Sequence, residues 1–142
     1  MSVEERKRAL RAYFTAIGLG DRAVMRALVT DDLVWVVPTS APPPFGGVHR
    51  GADLVIDRMA GAVAQAFLPG TQQTEWTAMV GEGEVLMAEA RMRARAAHGE
   101  YDNRYCFVVV FRGERIAEIR EHVDTITAAR FFAPVSPGGG ET

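Results

Sequence analysis

Cysteine is almost absent from this 142-residue sequence, which has only Cys106 and therefore no disulfide framework or cysteine metal site. His49 and His122 lack the spacing of metal ligands, so no metal site is expected. The formal net charge of −2 gives no electrostatic footprint for nucleic acid or an anionic membrane. No apolar run approaches the roughly 18 residues of a membrane span, and the charged start MSVEERKR lacks the apolar core of a signal peptide. We therefore expect a cytoplasmic protein with no nucleic-acid or membrane partner.

The composition is that of a folded globular protein, with 48% apolar and 24% charged residues. The length is that of one ordinary domain, long enough for a real core. We predict a single domain over residues 1–133. Residues 134–142 contain PGGGET and are predicted to be a disordered tail.

The stretch Asn103–Thr125 predicts two long antiparallel strands joined by a tight turn. Both faces of the first strand are apolar, so this strand is predicted to be central in the sheet. In the second strand, the apolar row that alternates along residues 117–123 holds one carboxylate, Glu121. The opposite row, which starts at Ile116, is mostly polar. A lone acid in an apolar row is the most suggestive feature of the chain.

The rest of the pattern predicts helices in the first half of the chain and strands in the second half. The predicted elements are a capped helix from Ser2 to about Gly18, a short helix after Asp21, a strand over Leu33–Val37, a proline-rich loop over Pro38–Gly47, a helix over Ile56–Phe67, strands at about 73–80 and 84–96, a loop over 97–102 and a last helical turn over Ala128–Phe132. This order indicates an α+β fold, with three helices packed on a curved, mostly antiparallel sheet. Three helices cannot cover a long twisted sheet, so we expect a cone with an internal cavity.

Two stretches resemble a known family. The run AYFTAIGLGDRAVMRALVTDDLVW looks like the family's opening helix pair. The run NRYCFVVVFRGERIAEIREHVDT is similar to its pattern of asparagine, tyrosine, alternating apolar residues, a turn and I-x-E-I-R-E-aromatic-x-D-T, with His122 where an aromatic residue is more usual. Over about residues 5–132 the chain resembles the SnoaL-like, ketosteroid-isomerase-related branch of the nuclear-transport-factor-two-like (NTF2-like) superfamily. That scaffold carries isomerases, polyketide cyclases, epoxide hydrolases, dehydratases and non-catalytic binders.

The ketosteroid isomerases of this superfamily use three catalytic groups. Tyr13 matches the helix-one tyrosine that donates a hydrogen bond to the developing oxyanion. The carboxylate base that precedes a proline is replaced by Val37, and the protonated acid of the middle strand by Phe107. Two of the three groups are therefore absent, and steroid isomerisation by that mechanism is not expected.

The limonene-epoxide-hydrolase type uses two acids and an arginine around a water molecule. Glu121 looks like the match for its C-terminal acid. Glu89 and Arg91 stand two residues apart and share a strand face, but in the reverse order to the family's arginine and aspartate. The resemblance thus implies an alternative function, in which Glu121 activates water with Glu89 and Arg91.

The SnoaL-like cyclases use one acid as general base in an apolar pocket and need no cofactor. Glu121 or Asp124 matches that role here, with Tyr13 or His49 as a partner. Burial beside Phe107 is expected to raise the pKa of a carboxyl toward neutrality, which suits a base that works near pH 7.

We favour the SnoaL-like interpretation: cofactor-independent isomerisation, aldol cyclisation or dehydration of a small hydrophobic molecule that contains a carbonyl group. Glu121 is the predicted acid/base, Tyr13 the oxyanion donor, Arg91 an orienting charge and Asp124 a further catalytic candidate. The predicted substrate-binding residues are Trp35, Phe45, His49, Met59, Phe67, Glu89, Tyr105, Phe107 and Val123.

Each catalytic candidate also has a structural interpretation. Glu121 fits an ion pair with Arg120, Arg91 or Arg93 across the sheet. Asp124 fits the N-cap of the last helical turn, and Tyr13 fits a core position on an apolar helix face. The strand that contains Glu89 and Arg91 has the alternation of a solvated face or a charged dimer face.

The rival hypothesis is a non-catalytic ligand-binding or dimerisation module that uses the same cone. It predicts that arginines neutralise Glu121. Under either hypothesis a homodimer is expected through the outer face of the sheet, where Val108, Val110 and Met92 are predicted to leave an uncovered apolar surface.

Overall fold

The computed structural model describes residues 1–132, so the predicted tail at 134–142 lies outside the described residues. Ten elements follow one another along the chain: α1 (Val3–Leu19), α2 (Arg22–Ala27), β1 (Val29–Val37), β2 (Gly47–Arg50), α3 (Ala52–Ala66), β3 (Gln73–Glu82), β4 (Val85–Ala96), β5 (Gly99–Arg112), β6 (Arg115–Val123) and α4 (Thr125–Phe132). No helix within this described part of the chain is long and apolar enough to cross a membrane.

The six strands form one sheet in the order β2–β1–β6–β5–β4–β3. Neighbouring strands are antiparallel except β1 and β6, which are parallel. Helices α1 and α3 lie on one face of this sheet, and the main hydrophobic core lies between that inner face and the helices. The predicted α+β class, with helices on a mostly antiparallel curved sheet, is confirmed.

Helix α1 begins at the predicted capping box. The Ser2 hydroxyl accepts from the Glu5 backbone N–H at 3.1 Å, and the Glu5 carboxylate accepts from the Ser2 backbone N–H at 2.8 Å. The helix ends at Gly20, whose φ of +70° lies in the left-handed region that glycine tolerates without strain. These two ends fix the length of the helix that carries Tyr13 and Phe14 over the sheet.

A β-bulge in β6 decides which of its side chains face inward. Val110 of β5 pairs with Glu118, but the next residue, Phe111, pairs with Ile116, so Ala117 is the extra residue. Ile116 is therefore buried on the same face as Ile119 and Glu121, although strict alternation places Ile116 in the opposite, polar row. The bulge leaves the inward position of Glu121 unchanged.

The two faces of β4 separate cleanly. Ala88, Ala90, Met92 and Ala94 are buried, whereas Glu89, Arg93 and Arg95 are exposed. Met92 is only 7% exposed and lies on the inner face, so its predicted position on the outer face is wrong. The error arose because Met92 was grouped with Val108 and Val110 although its own strand alternation places it with the alanines.

Several element bounds differ from the prediction. Strand β2 begins at the last residue of the predicted loop and continues through residues for which no element is predicted, and it pairs antiparallel with the end of β1 through Val37 and Gly47. Strand β1 begins at Val29 rather than Leu33, and β5 begins at Gly99, inside the predicted loop over 97–102. The earlier start of β5 matters most, because it places Tyr101 on the inner face of the sheet.

Candidate functional site

A cavity of about 60 Å³ lies between the inner face of the sheet, α1, α3 and α4. That volume has room for roughly four water molecules at about 10–15 Å³ each. Its wall is apolar apart from the indole N–H of Trp35 and four polar side chains: Gln72, Tyr101, Tyr105 and Glu121. An apolar cavity with a few convergent polar groups is the usual form of a small-molecule site.

Among residues 1–132, Glu121 is the only carboxylate that lines the cavity. It lies on β6 directly opposite Phe107 of β5, and the residue is only 9% exposed. Its Oε1 atom accepts one hydrogen bond, from Nε1 of Trp35 at 3.2 Å. No lysine, arginine or histidine within residues 1–132 forms an ion pair with it.

This environment changes the acidity of the carboxyl group. Burial raises the pKa of Glu121 from its usual 4.5 to about 7, and the hydrogen bond from Trp35 offsets only part of that effect. Near neutral pH both the acid and the carboxylate are therefore populated. A group in that condition can accept and return a proton at little cost, which a general base requires.

Two tyrosine hydroxyls lie in the same cavity. The hydroxyl oxygens of Tyr101 and Tyr105 are 2.5 Å apart, and Nδ2 of Asn103 donates to the Tyr101 oxygen at 2.8 Å. The mutual bond uses one of the two hydroxyl protons. Within residues 1–132 no further acceptor hydrogen-bonds to the pair, so the second proton is available to a ligand.

Both hydroxyls stay protonated near neutral pH. Burial raises the pKa of Tyr105 well above its usual value, and the negative charge of Glu121 adds to the effect. Burial likewise raises the pKa of Tyr101. The pair is therefore a hydrogen-bond donor, and it suits an oxygen atom on which negative charge develops.

The donor pair and the carboxyl group border the same space. Tyr105 pairs with Val123 while Phe107 pairs with Glu121, which makes Tyr105 and Glu121 diagonal neighbours on one face of the sheet. Such neighbours have Cβ atoms about 7–8 Å apart. A small molecule between them can present a C–H bond to the carboxylate and an oxygen to the hydroxyl pair.

Helix α4 closes the cavity at one end. The ring of Phe132 lies 5.0 Å from that of Phe45, and Phe131 packs against Phe67 at 5.7 Å. Phe45 and Phe132 also line an outer groove beside Arg58 and Gln65 of α3. This aromatic pair therefore lies between the cavity and the outer groove.

Most of the predicted binding residues line this cavity. Together with Glu121, the wall contains Trp35, Phe45, Met59, Phe67, Tyr105, Phe107 and Val123. Tyr13 does not line it. The Tyr13 ring lies in the core, 6.2 Å from that of Trp35, and burial raises the pKa of its hydroxyl. The predicted oxyanion donor, Tyr13, is therefore absent from the cavity wall, whereas Tyr101 and Tyr105 are part of it.

Arg91 and Glu89 lie on the outer face of the sheet, so the prediction that they face the cavity is wrong. The Arg91 guanidinium makes two hydrogen bonds to Asp102, at 2.8 and 2.5 Å. The Glu89 carboxylate accepts from the Thr77 hydroxyl at 2.7 Å. Because the alanines of β4 face inward, the side chains of Glu89 and Arg91 face outward and cannot reach Glu121. The acid–arginine–acid arrangement of the epoxide-hydrolase type is therefore not formed.

Asp124 is a helix cap rather than a cavity residue. Its Oδ1 accepts from the Thr127 backbone N–H at 3.0 Å at the start of α4. This bond lowers the pKa of the exposed Asp124 carboxyl, so it is ionised at neutral pH and faces solvent. Its predicted catalytic role does not fit this position.

His49 is buried, with 3% exposure, but it lies behind the cavity wall. Its Nε2 donates to the Phe45 carbonyl oxygen at 2.6 Å, and its Nδ1 accepts from Arg58 at 3.2 Å. His49 therefore holds the loop that carries Phe45 and does not contact a ligand in the cavity. Its predicted substrate contact is corrected to this supporting position.

Tyr101, Asn103 and Gln72 were missed as site residues. Tyr101 and Asn103 lie on the same strand face as Tyr105 and Phe107, and the predicted loop over 97–102 hides this alternation for Tyr101, whereas Asn103 already lies in the predicted strand. Gln72 precedes β3 and had no sequence pattern that distinguished it. Within the described residues no group of three or more histidine, cysteine, aspartate or glutamate side chains is placed to hold a metal ion.

Comparison with known proteins agrees with this architecture. The family model described as the SnoaL-like domain matches residues 10–119. No curated protein matches the chain. Among solved structures, an NTF2-like protein from Burkholderia pseudomallei is 21% identical, with a TM-score of 0.79 over 94% of this chain and 100% of that one.

Two further structures share the fold at low identity. A putative SnoaL-like polyketide cyclase from Jannaschia is 14% identical, with a TM-score of 0.74 over 92% of this chain and 94% of that one. An LEH-like epoxide hydrolase from Mycobacterium tuberculosis is 18% identical, with a TM-score of 0.65 over 90% of this chain and 89% of that one. With the family match over most of its length, the chain belongs to the SnoaL-like domain family, and it shares its fold with NTF2-like proteins.

Proposed function

We propose that the protein is a cofactor-independent enzyme that moves a proton on a small hydrophobic carbonyl compound. One observation carries the proposal: Glu121 is the only carboxylate of an apolar cavity, has no cationic partner within residues 1–132, and has a pKa raised to about 7. The description of a structural neighbour as a putative polyketide cyclase supports the same class of chemistry.

The reaction begins when the Glu121 carboxylate removes a proton from the carbon next to the carbonyl group. The electron pair of that C–H bond moves toward the carbonyl oxygen, which becomes an enolate. The free hydroxyl proton of the Tyr101–Tyr105 pair donates a hydrogen bond to that oxygen, where it stabilises the new charge. If a C=C bond is conjugated with the enolate, the proton on Glu121 returns at the far carbon of that bond (isomerisation). In aldol cyclisation the enolate carbon instead attacks a second carbonyl group, and the alkoxide that forms takes the proton from Glu121.

The apolar wall supports both steps. It keeps water away from the carboxylate, which raises the pKa of Glu121 and strengthens the hydrogen bonds inside the cavity. Trp35 holds Oε1 of Glu121 in place, so the carboxylate needs no reorganisation when the substrate arrives. Substrates larger than the present cavity require the Phe45 and Phe132 rings to separate.

Two alternatives are less well supported. Water activation in the epoxide-hydrolase manner needs a second acid and an arginine, and Glu89 and Arg91 lie on the opposite face of the sheet. The ligand-binding module predicts that arginines neutralise Glu121, and no arginine within residues 1–132 contacts it. The cytoplasmic location stays a prediction from the single cysteine.

Proton abstraction can be measured without the natural substrate. We would incubate the protein with 4-methylcyclohexanone in D₂O and follow the loss of the α-proton signals by NMR. We expect Glu121→Gln to slow this exchange by about 10²–10⁴-fold, the usual contribution of a general base. Glu89→Gln is the matched control, because it removes an exposed carboxylate on the outer face and is expected to retain full activity.

Equal exchange rates in the wild type and Glu121→Gln would remove Glu121 as the base. Binding of the ketone without any protein-dependent exchange would instead favour the ligand-binding module. Folding of each variant is checked by circular dichroism, so that a lost activity is not a lost structure.

A further inference from the structure

Asn103 is a buried polar residue on the inner face of β5, but it does not line the cavity. It stands between Tyr101 and Tyr105 along that face, because side chains alternate with period two. Its carboxamide makes three hydrogen bonds, two to backbone groups and one to the Tyr101 hydroxyl. Asn103 can therefore affect a ligand in the cavity only through the tyrosine pair.

The two backbone partners fix the orientation of the carboxamide. Its Oδ1 accepts from the Arg104 backbone N–H at 2.8 Å, and a backbone N–H can only donate. Its Nδ2 donates to the Asp124 carbonyl oxygen at 3.0 Å, and a carbonyl oxygen can only accept. The same Nδ2 lies 2.8 Å from the Tyr101 hydroxyl oxygen, so its second N–H donates to that oxygen.

This orientation decides how many hydroxyl protons remain for a ligand. Tyr101 and Tyr105 have two hydroxyl protons, and the 2.5 Å bond between their oxygens uses one. Because Asn103 donates to the pair, it uses neither proton, and one O–H group is left over. An acceptor at position 103 would instead bind the Tyr101 proton, the Tyr105 hydroxyl would donate to Tyr101, and no proton would remain.

We infer that Asn103 is a positioning residue that keeps the Tyr101–Tyr105 pair a hydrogen-bond donor toward the oxygen of the substrate. This inference rests on the proposed function, since it explains how the donor of that same cavity is maintained. Donation by Asn103 also strengthens the donor, because hydrogen bonds in a chain polarise one another. The pair then suits an oxygen that accepts, as the oxygen of a carbonyl group or an enolate does.

Two substitutions of similar size separate this role from a purely structural one. Asn103→Asp and Asn103→Leu both remove the bond to the Asp124 carbonyl oxygen, so both lose that support of α4. Asn103→Asp also places an acceptor beside the Tyr101 hydroxyl, whereas Asn103→Leu adds none. Only Asn103→Asp is therefore expected to use up the second hydroxyl proton.

The readout is the ¹³C chemical shift of the carbonyl carbon of 4-methylcyclohexanone, labelled at that carbon and titrated to saturation at about pH 9. A carboxyl group is ionised at this pH even where burial raises its pKa by several units. A hydrogen bond to the carbonyl oxygen moves the signal downfield of its position in cyclohexane. We expect this downfield shift in the wild type and in Asn103→Leu, and its loss in Asn103→Asp. Asn103→Asp is also expected to slow α-proton exchange by about 10²–10³-fold, the usual effect of a lost oxyanion donor.

Tyr101→Phe gives a second test, because it removes the hydroxyl through which Asn103 acts. In the wild type the Tyr105 hydroxyl is bonded only to Tyr101 among residues 1–132. When Tyr101→Phe is added to Asn103→Asp, the Tyr105 proton is therefore free again, and we expect the downfield shift to return. A residue that only supports the fold would give no such restoration.

A downfield shift that Asn103→Asp keeps, or that Asn103→Asp and Asn103→Leu lose equally, would overturn the inference. A wild type with no downfield shift or no bound ketone, or a double variant without restoration, would do the same. A failure of the proposed function is distinct, because exchange in Glu121→Gln tests the base. Full exchange in Glu121→Gln with a shift that depends on position 103 would remove the base but keep the positioning role. Loss of exchange in Glu121→Gln with an unchanged shift in Asn103→Asp would do the reverse.

Discussion

At the scale of single residues, the burial of Glu121 destabilises the folded protein when its carboxyl group is ionised. Its carboxyl group makes one hydrogen bond, to Trp35, and gives up most of its hydration. Trp35 is a neutral donor, so it positions the carboxylate without adding a positive charge. A cation such as an arginine in its place would lower the pKa of Glu121. The combination of burial and a neutral donor is what keeps the pKa near 7.

This arrangement predicts how stability depends on pH. Folded Glu121 keeps its proton to a higher pH than the unfolded chain does, so the folded state loses stability as the pH rises from 4.5 to about 7. A shift of this size corresponds to about 3 kcal/mol. We expect the free energy of unfolding of Glu121→Gln to exceed that of the wild type by up to about 3 kcal/mol above neutral pH, and the difference to vanish below pH 4.5.

Urea denaturation of the wild type and of Glu121→Gln, below pH 4.5 and above pH 7, measures the difference in their free energies of unfolding. Glu89→Gln serves as the control, since its exposed carboxylate is expected to give no such pH-dependent gain. A Glu121→Gln variant that is less stable than the wild type above pH 7 would mean that the carboxylate is held by favourable charge interactions instead.

The sequence predicts Glu121 but not its partners. Strand alternation alone shows one acid in an apolar row, and burial follows from that row. Tyr101 lines the cavity and Tyr13 does not, and this depends on where β5 begins. No local pattern near Gly99 indicates that start. The register of β4 decides that Arg91 faces outward, and the alanines at 88, 90 and 94 were the signal for it.

At the scale of elements, α4 decides whether the cavity is closed. Its aromatic end covers the space between α3 and the sheet, and its first turn is fixed by the Asp124 cap. Asn103 adds a bond from its Nδ2 to the Asp124 carbonyl oxygen at 3.0 Å, so the tyrosine pair and the helix share one support. The closure and the donor pair are therefore coupled through Asn103.

Two variants distinguish a capping role of Asp124 from a catalytic role. Asp124→Ala removes the side-chain acceptor and is expected to cost about 1 kcal/mol of stability. It is also expected to speed amide hydrogen exchange at Thr127. Asp124→Asn keeps an oxygen for the cap, so it is expected to retain both stability and turnover. Loss of turnover in Asp124→Asn with normal amide protection would restore Asp124 as a catalytic group.

The element order shows what local patterns can and cannot predict. The capping box at Ser2 and the hairpin at 112–115 depend on short-range signals, and both are found where expected. Strand β2 is four residues long and is set by its pairing with β1 after a long proline-rich loop. Such a pairing is tertiary, so the sequence of Gly47–Arg50 alone does not indicate it.

At the scale of the whole molecule, an apolar band crosses the outer face of the sheet. The band consists of Val48, Val36, Val108, Met87 and Val80, which are joined across the strands with Arg120 between Val36 and Val108. Val80 is 64% exposed and Met87 is 51% exposed. We propose that a second copy of the chain covers this band across a two-fold axis, where the Arg120–Glu118 ion pair, at 2.9 Å within each chain, leaves no unpaired charge on the band.

Light scattering with size exclusion tests the dimer. We expect the wild type to elute as a dimer and Met87→Glu to shift toward monomer, because a buried unpaired carboxylate disfavours the interface. Leu54→Glu is the control, since Leu54 is exposed on α3, away from the outer face, and the variant is expected to stay dimeric. A monomeric wild type, or equal behaviour of the two variants, would contradict the proposed interface.

The most direct test of the account is the titration of the Glu121 carboxyl carbon by NMR on ¹³C-labelled protein, assigned with Glu121→Gln. We predict a midpoint near pH 7, and a higher midpoint in Trp35→Phe, because that variant loses the hydrogen bond that lowers the pKa. A midpoint at or below the usual 4.5 would contradict it, because Glu121 would then be a stabilised anion and a poor base.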